Sequence, residues 1–205
     1  MAVWFLCACS SLPEIVPVSR ESEATIERSC TAIFTGGPWN LVHALEVSLP
    51  GGGRSAMVGV SDWNPDEDRL ESVLMSPEGL VLFMAAQTGT EIVVEQSVPP
   101  LDNPGFAAGL FDDIRFLFVP WKNRPAKVGT GPAGEQICRW VQRDFVRDLS
   151  LFEEGAFRLA EYTASGQLQR LSHHLEVDSS GQAREVDFTV HGVAGYRMLF
   201  QRVEQ

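Results

Sequence analysis

The chain has 205 residues, 44% hydrophobic and 21% charged, a balance that suits one globular domain and excludes collagen, coiled coil and extended disorder. Lys and Arg number 16 against 27 Asp and Glu, a formal charge of −11, so a nucleic-acid backbone would be repelled unless the cations were gathered on one face. Only the stretch from Trp121 to Lys127 gathers any, and no nucleic-acid partner is expected.

The chain opens on Ala2-Val3-Trp4-Phe5-Leu6, and Leu6-Cys7-Ala8-Cys9 fits the bacterial lipobox, in which a signal peptidase cuts before a cysteine that then carries lipid. No Lys or Arg precedes it, so residues 1–8 are expected to be the remnant of a truncated lipoprotein signal peptide. Cys9 is the expected lipid-attachment site, with Leu6 three places before it and Ala8 just before it. Ser10 rather than Asp follows, which under the usual enterobacterial sorting rule favours the outer membrane. The alternative is a short apolar start that packs on the core. Residues 9–23, rich in Pro, Ser and Glu without apolar periodicity, are expected to be a tether, and residues 24–205 a single domain. With Cys7 removed and Cys9 lipidated, Cys30 and Cys138 remain; they can pair in an oxidising periplasm or stay as two separate buried thiols.

A short helix is expected from Ala24 to Phe34, ended by Gly36-Gly37-Pro38. The period then changes to two. Trp39 to Leu49, Ser55 to Asp62, Arg69 to Met75, Leu80 to Ala86 and Glu91 to Gln96 read as strands of an antiparallel meander, each bounded by turn residues. From Phe106 to Phe118 apolar residues recur at helical spacing, with Asn103-Pro104 opening the helix and Pro120 closing it. Strands return at Gln136 to Arg143, Phe157 to Tyr162, Leu168 to Leu175, Glu185 to His191 and Tyr196 to Val203. The expected fold is therefore mainly β: about ten strands interrupted by one amphipathic helix.

Motifs for chemistry are scarce. No phosphate-binding Gly-Lys-Ser/Thr loop, Gly-x-Ser-x-Gly elbow, His-Glu-x-x-His helix or Cys-x-x-Cys pair occurs, and neither an enzyme nor a cofactor is expected. His173 and His174 point to opposite faces of a strand and cannot share a metal; His174 is placed on a polar side with Arg170 and Ser172. Asp112-Asp113 reads as a solvated helix face, because adjacent helical residues diverge by about 100°. Asp66-Glu67-Asp68 reads as a polar hairpin turn without the spaced ligands of a calcium loop. Trp, Phe and Met are spread through the strands, which suits either an acyl-accepting cavity or a solid core.

The run Val58-Gly59-Val60-Ser61-Asp62-Trp63, the turn Asp66 to Asp68 and the stretch Arg69 to Gly79 resemble the strand, Trp, strand, Pro-x-Gly hairpin of the lipoprotein carriers LolA and LolB. The helix Phe106 to Phe118 and the closing strands follow the same order, and with Pro120-Trp121 after the helix the chain most resembles a family of bacterial outer-membrane lipoproteins with LolB-like folds. The resemblance implies an unclosed antiparallel barrel of about eleven strands with a helical lid, which binds acyl chains or lipoproteins without catalysis. It implies a monomer held at the periplasmic face of the outer membrane through its lipid. Trp63, Phe83, Phe111, Ile114, Phe188 and Met198 are the expected cavity lining, and Pro77-Glu78-Gly79 the membrane-proximal loop. LolB carries an exposed Leu in that loop; here the position is Glu78, which a bilayer resists. The alternative function is a structural or assembly lipoprotein with no usable cavity.

Overall fold

The computed structural model describes residues 12–34, 37–152, 155–178, 181–193 and 195–203. The signal remnant 1–8 and Cys9 lie outside them. Twelve strands form one sheet: β1 (Trp39–Ser48), β2 (Arg54–Asn64), β3 (Arg69–Met75), β4 (Val81–Thr88), β5 (Glu91–Ser97), β6 (Lys127–Thr130), β7 (Gln136–Val141), β8 (Phe145–Leu151), β9 (Phe157–Thr163), β10 (Leu168–Val177), β11 (Ala183–Val190) and β12 (Tyr196–Arg202). Helix α1 spans Arg20–Ala32 and α2 spans Pro104–Phe118. The strand order is β5-β4-β3-β2-β1-β12-β11-β10-β9-β8-β7-β6, so β5 and β6 end the sheet and do not pair with each other. This is the expected unclosed antiparallel barrel.

Two of the twelve strands go beyond the ten read from the sequence. In β8, Arg147 and Asp148 face opposite sides and both are ion-paired, Arg147 to Glu161 at 2.7 Å and Asp148 to Arg139 at 2.7 Å. Charges on both faces erase the apolar alternation by which a strand is recognised. Strand β6 is four residues long and sits in the Gly- and Pro-rich loop.

Register puts both side chains of each directly opposite pair on the same face, and the inner face is continuous around the sheet. Trp39 opposes Trp63, Trp63 opposes Leu70, Leu74 opposes Phe83 and Phe188 opposes Met198. Breaks in register between Leu74 and Met75, Met84 and Ala85, and Leu168 and Arg170 mark local irregularities of the kind that bend a sheet.

The segment expected to be a tether is docked where it is described. Val16 exchanges two backbone hydrogen bonds with Thr130, at 2.9 and 3.1 Å, and caps the edge of β6. Gly129 permits this: a Cβ there would stand 2.3 Å from the Val16 carbonyl oxygen. The Pro13 carbonyl accepts from Arg139, whose guanidinium is held bidentately by Asp148. Helix α1 then begins at Arg20, four residues before the expected start, because Ser19 caps it and Glu21 and Glu23 favour its first turn. Its buried residues Ile26 and Cys30 are one helical turn apart, and Cys30 is disulfide-bonded to Cys138 of β7.

Candidate functional site

Helix α2 fills the concave side of the sheet. Asn103 caps it, accepting from the Gly105 N–H at 2.9 Å, and Pro104 supplies the fixed φ of a first turn. Phe111, Ile114, Phe116 and Leu117 are buried against the strands. Phe106 meets Phe83 edge-on at 5.0 Å, Phe116 meets Phe188 at 6.0 Å and Phe118 meets Phe200 at 5.9 Å. The residues expected to line a cavity are here. Trp63, Phe83, Phe111, Ile114 and Phe188 are buried members of one core, and Met198 is half-buried against it. They face inward, but onto one another and onto the helix, and none of the six borders the small cavity beside His43 and His174.

Polar groups tie α2 to the strands at two places. Arg115 reaches Asp68 at 2.9 Å and the Gln87 side chain at 2.7 Å, with its guanidinium 5.0 Å over the Trp63 ring. Further round, Arg170 of β10 lies between Asp113 at 3.3 Å, Asp112 at 3.4 Å and Glu161 at 3.0 Å, and Glu161 also holds Arg147. The Tyr196 hydroxyl donates to Asp113 in a short hydrogen bond. The expectation of a solvated Asp112-Asp113 face is thus corrected for one residue: Asp112 stays exposed, whereas Asp113 is only 6% exposed. The same 100° divergence that kept the pair apart turns Asp113 inward. Burial pushes its carboxyl up to about 6, against the opposing pull of the Tyr196 hydrogen bond and Arg170. Burial, with the Asp113 charge beside it, likewise raises the Tyr196 hydroxyl.

A second polar group sits deeper. His43 stacks on Phe118 at 5.5 Å, and His174 stacks on Phe157 at 4.1 Å with its Nε2 3.0 Å from the Ser172 hydroxyl. The polar side assigned to His174 is therefore the inner face, and His173 is the one that points out. Both buried rings border a cavity of about 30 Å³, together with Trp39, Leu41, Leu117, Phe118 and the Gly181 to Ala183 stretch. That volume is about one water's share of the liquid, far below the roughly 300–1,000 Å³ of ordinary ligand pockets. An open cleft of about 530 Å³ adjoins it, sharing Leu41 and Gln182 and including Arg202, which pairs with Asp178 at 2.7 Å.

Burial lowers His43 to about 4 and His174 to about 3. An unfolded histidine binds its proton near 6.5, so as pH falls the unfolded chain takes up protons that the folded rings refuse. Stability is lost from pH 6.5 downward. Asp113 acts in the opposite sense, its folded form gaining a proton near 6 while the unfolded one waits for about 3.8. Two histidines outweigh one carboxyl, and the guanidinium midpoint is expected to fall between pH 7 and pH 4.5. His43→Phe should flatten that fall; a variant as acid-sensitive as the parent would remove His43 as its source.

At the β3–β4 turn, Gly79 adopts φ +89° and its N–H donates to the Ser76 carbonyl, projecting Pro77, Glu78 and Leu80 outward. Leu80 is 65% exposed, so an apolar side chain does stand at this tip, two places after Glu78. No described helix is long and apolar enough to cross a membrane, and no group of three or more metal-ligating side chains occurs among the described residues.

Two solved structures resemble this fold. A LolA superfamily protein from Nitrosomonas europaea superposes with a TM-score of 0.54 at 9% identity, over 89% of this chain and 91% of that one. The fold is LolA-like. A domain from Vibrio parahaemolyticus named for outer membrane lipoprotein sorting gives a TM-score of 0.51 at 10% identity, over 90% and 91% of the two chains. No family model and no curated protein matches the chain.

Within this LolA-like frame the site residues missed from the sequence are polar ones: His43, Asp113 and Tyr196. For His43 a signal exists. It stands in the inward row Trp39, Leu41, His43, Leu45 of β1, where period two alone points it to the core. Tyr196 and Asp113 are 83 residues apart and carry no local sign of their meeting.

Proposed function

We propose that the protein is a non-enzymatic carrier or acceptor of acyl chains, closed in this structure with α2 occupying the acyl site. The observation that supports this is the construction of the interior. One helix supplies the apolar filling of the concave face, and its charged ties, Arg115 to Asp68 and Asp113 to Arg170, can be exchanged for water without breaking any strand pairing. The sheet ends at β5 and β6 are unjoined, so the wall can spread when the helix leaves. Acyl chains then replace α2 against the same aromatic residues, at roughly 25 cal/mol per Å² of apolar surface removed from water. Lipid on Cys9 would hold the domain at the periplasmic face of the outer membrane, with the Pro77-Glu78-Gly79 tip and Leu80 toward the bilayer.

The domain is tested by native mass spectrometry with palmitate, lysophosphatidylglycerol and a palmitoylated peptide, alongside hydrogen exchange of α2. Micromolar binding with faster exchange over residues 104–118 is expected. The anchor is tested by metabolic palmitate labelling, which Cys9→Ser should abolish. A second reading, an envelope docking protein with a solid interior, is favoured by the cavity of only about 30 Å³. Failure of all three acyl probes to bind would select it.

A further inference from the structure

We infer that the small cavity beneath the end of α2 recognises a neutral oxygen, the carbonyl of an acyl ester or amide, with the Trp39 Nε1–H as its donor and the His43 and His174 imidazoles beside it. The inference rests on the acyl-binding reading above and names the polar end of that ligand. Trp39 is 7% exposed, yet its Nε1 is the one buried side-chain nitrogen or oxygen without a partner among the described residues. Trp121 and Trp140 follow the ordinary rule, donating to the Phe116 carbonyl at 3.3 Å and the Asn123 carbonyl at 3.1 Å. An indole N–H left unpaired costs roughly 1–3 kcal/mol, and here it belongs to a residue in the wall of a cavity.

The cavity has space for an oxygen, and two of its walls, Leu117 and Phe118, are the last residues of α2. Displacing the helix therefore enlarges this same space. The chain of the ligand would take the place of α2, its carbonyl would stay at Trp39, and its polar remainder would lie over the adjoining cleft at Asn40 and Gln182.

The charge is set by the neighbours. The imidazoles are held uncharged by burial at neutral pH. Arg202, the cation of the adjoining cleft, is engaged with Asp178 and the Gln182 side chain at 2.7 and 3.2 Å. A carboxylate in the cavity would thus be buried without a counter-charge, which is costly, whereas a carbonyl needs only the donor.

The test uses the full chain, ¹⁵N-labelled, with monolauroylglycerol and laurate as probes, and the Trp39 indole resonance assigned by its loss in Trp39→Phe. Monolauroylglycerol should move that resonance downfield and bind more tightly than laurate. Trp39→Phe should weaken the ester roughly five- to tenfold and leave laurate unchanged. Ester binding with the Trp39 resonance unmoved, as when only water occupies the cavity, overturns the site while leaving the carrier reading intact. Laurate binding as tightly as the ester overturns the ligand class. Absence of binding by either overturns this inference, and if palmitate, lysophosphatidylglycerol and the palmitoylated peptide also fail, the carrier reading falls with it.

Discussion

Removing the Cys30–Cys138 bond, by reduction or by replacing both residues with alanine, is expected to cost about 5 kcal/mol of stability. The bond closes a loop of 108 residues, and the chain-entropy relation gives that figure for a loop of this length. For a domain of this size it corresponds to a fall in melting temperature on the order of 10–20 °C. The loop encloses β1 to β6 and α2, so the bond ties α1 to β7, near the opposite end of the sheet from β5. Both sulfurs are fully buried, and reductant should act at the rate at which α1 lifts from β7 rather than at the rate of an exposed disulfide. Differential scanning calorimetry of the oxidised chain and the double-alanine variant checks the cost. A shift of only a degree or two would mean that the unfolded chain is already compact, or that α1 docks as firmly without the link.

The second large effect is expected from Arg170→Met. This guanidinium joins α2 to β9 and β10 through Asp113, Asp112 and Glu161 and lies 5.6 Å over the Phe116 ring. Its removal leaves Asp113 with Tyr196 alone and Glu161 with Arg147 alone, both carboxylates buried. Breaking a buried ion pair from one side costs about 3–5 kcal/mol, far more than the pair is worth against an apolar replacement of both partners. The cost should shrink below pH 6, where Asp113 takes up a proton and no longer needs the cation; for the same reason Asp113→Asn should recover part of the loss at pH 7. Guanidinium titrations of the four members of the cycle provide the measurement. Additive single and double variants would show that the two residues do not act on each other.

Both effects fall on contacts that join distant parts of the chain, and these were the least legible in the sequence. Helix α2 was readable almost residue by residue: apolar residues at helical spacing, Asn103-Pro104 in front and Pro120 behind are local signals, and the observed helix is Pro104–Phe118. The strands β1 to β5 were readable for the same reason. Strand β8 was not, because its two charges are satisfied by Arg139 and Glu161 on neighbouring strands, and one strand's pattern cannot reveal a partner on another. The helix α1 boundary slipped by four residues because its first turn is polar and gains its stability from the Ser19 cap.

For the candidate site the division is sharper. Trp63, Phe83, Phe111, Ile114, Phe188 and Met198, expected as lining from the resemblance, belong to or pack against the core, but a slip of one residue would have reversed each strand choice. Whether inward residues enclose a space or fill it depends on volumes contributed by several elements at once, and α2 fills most of it. The small cavity that remains is bordered instead by Trp39, His43 and His174.

The sequence by itself determined much of the local order: ten of the twelve strands and the amphipathic helix α2, since periodicity, caps and turn residues act over a few positions. Only the tertiary structure decided that Cys30 meets Cys138, that Asp113 turns inward to Arg170 and Tyr196, and that Trp39, which borders the cavity, buries its Nε1 without a partner. Those outcomes join residues tens to more than a hundred positions apart, and the order of strands in the sheet, which no local pattern encodes, sets which of them come within reach.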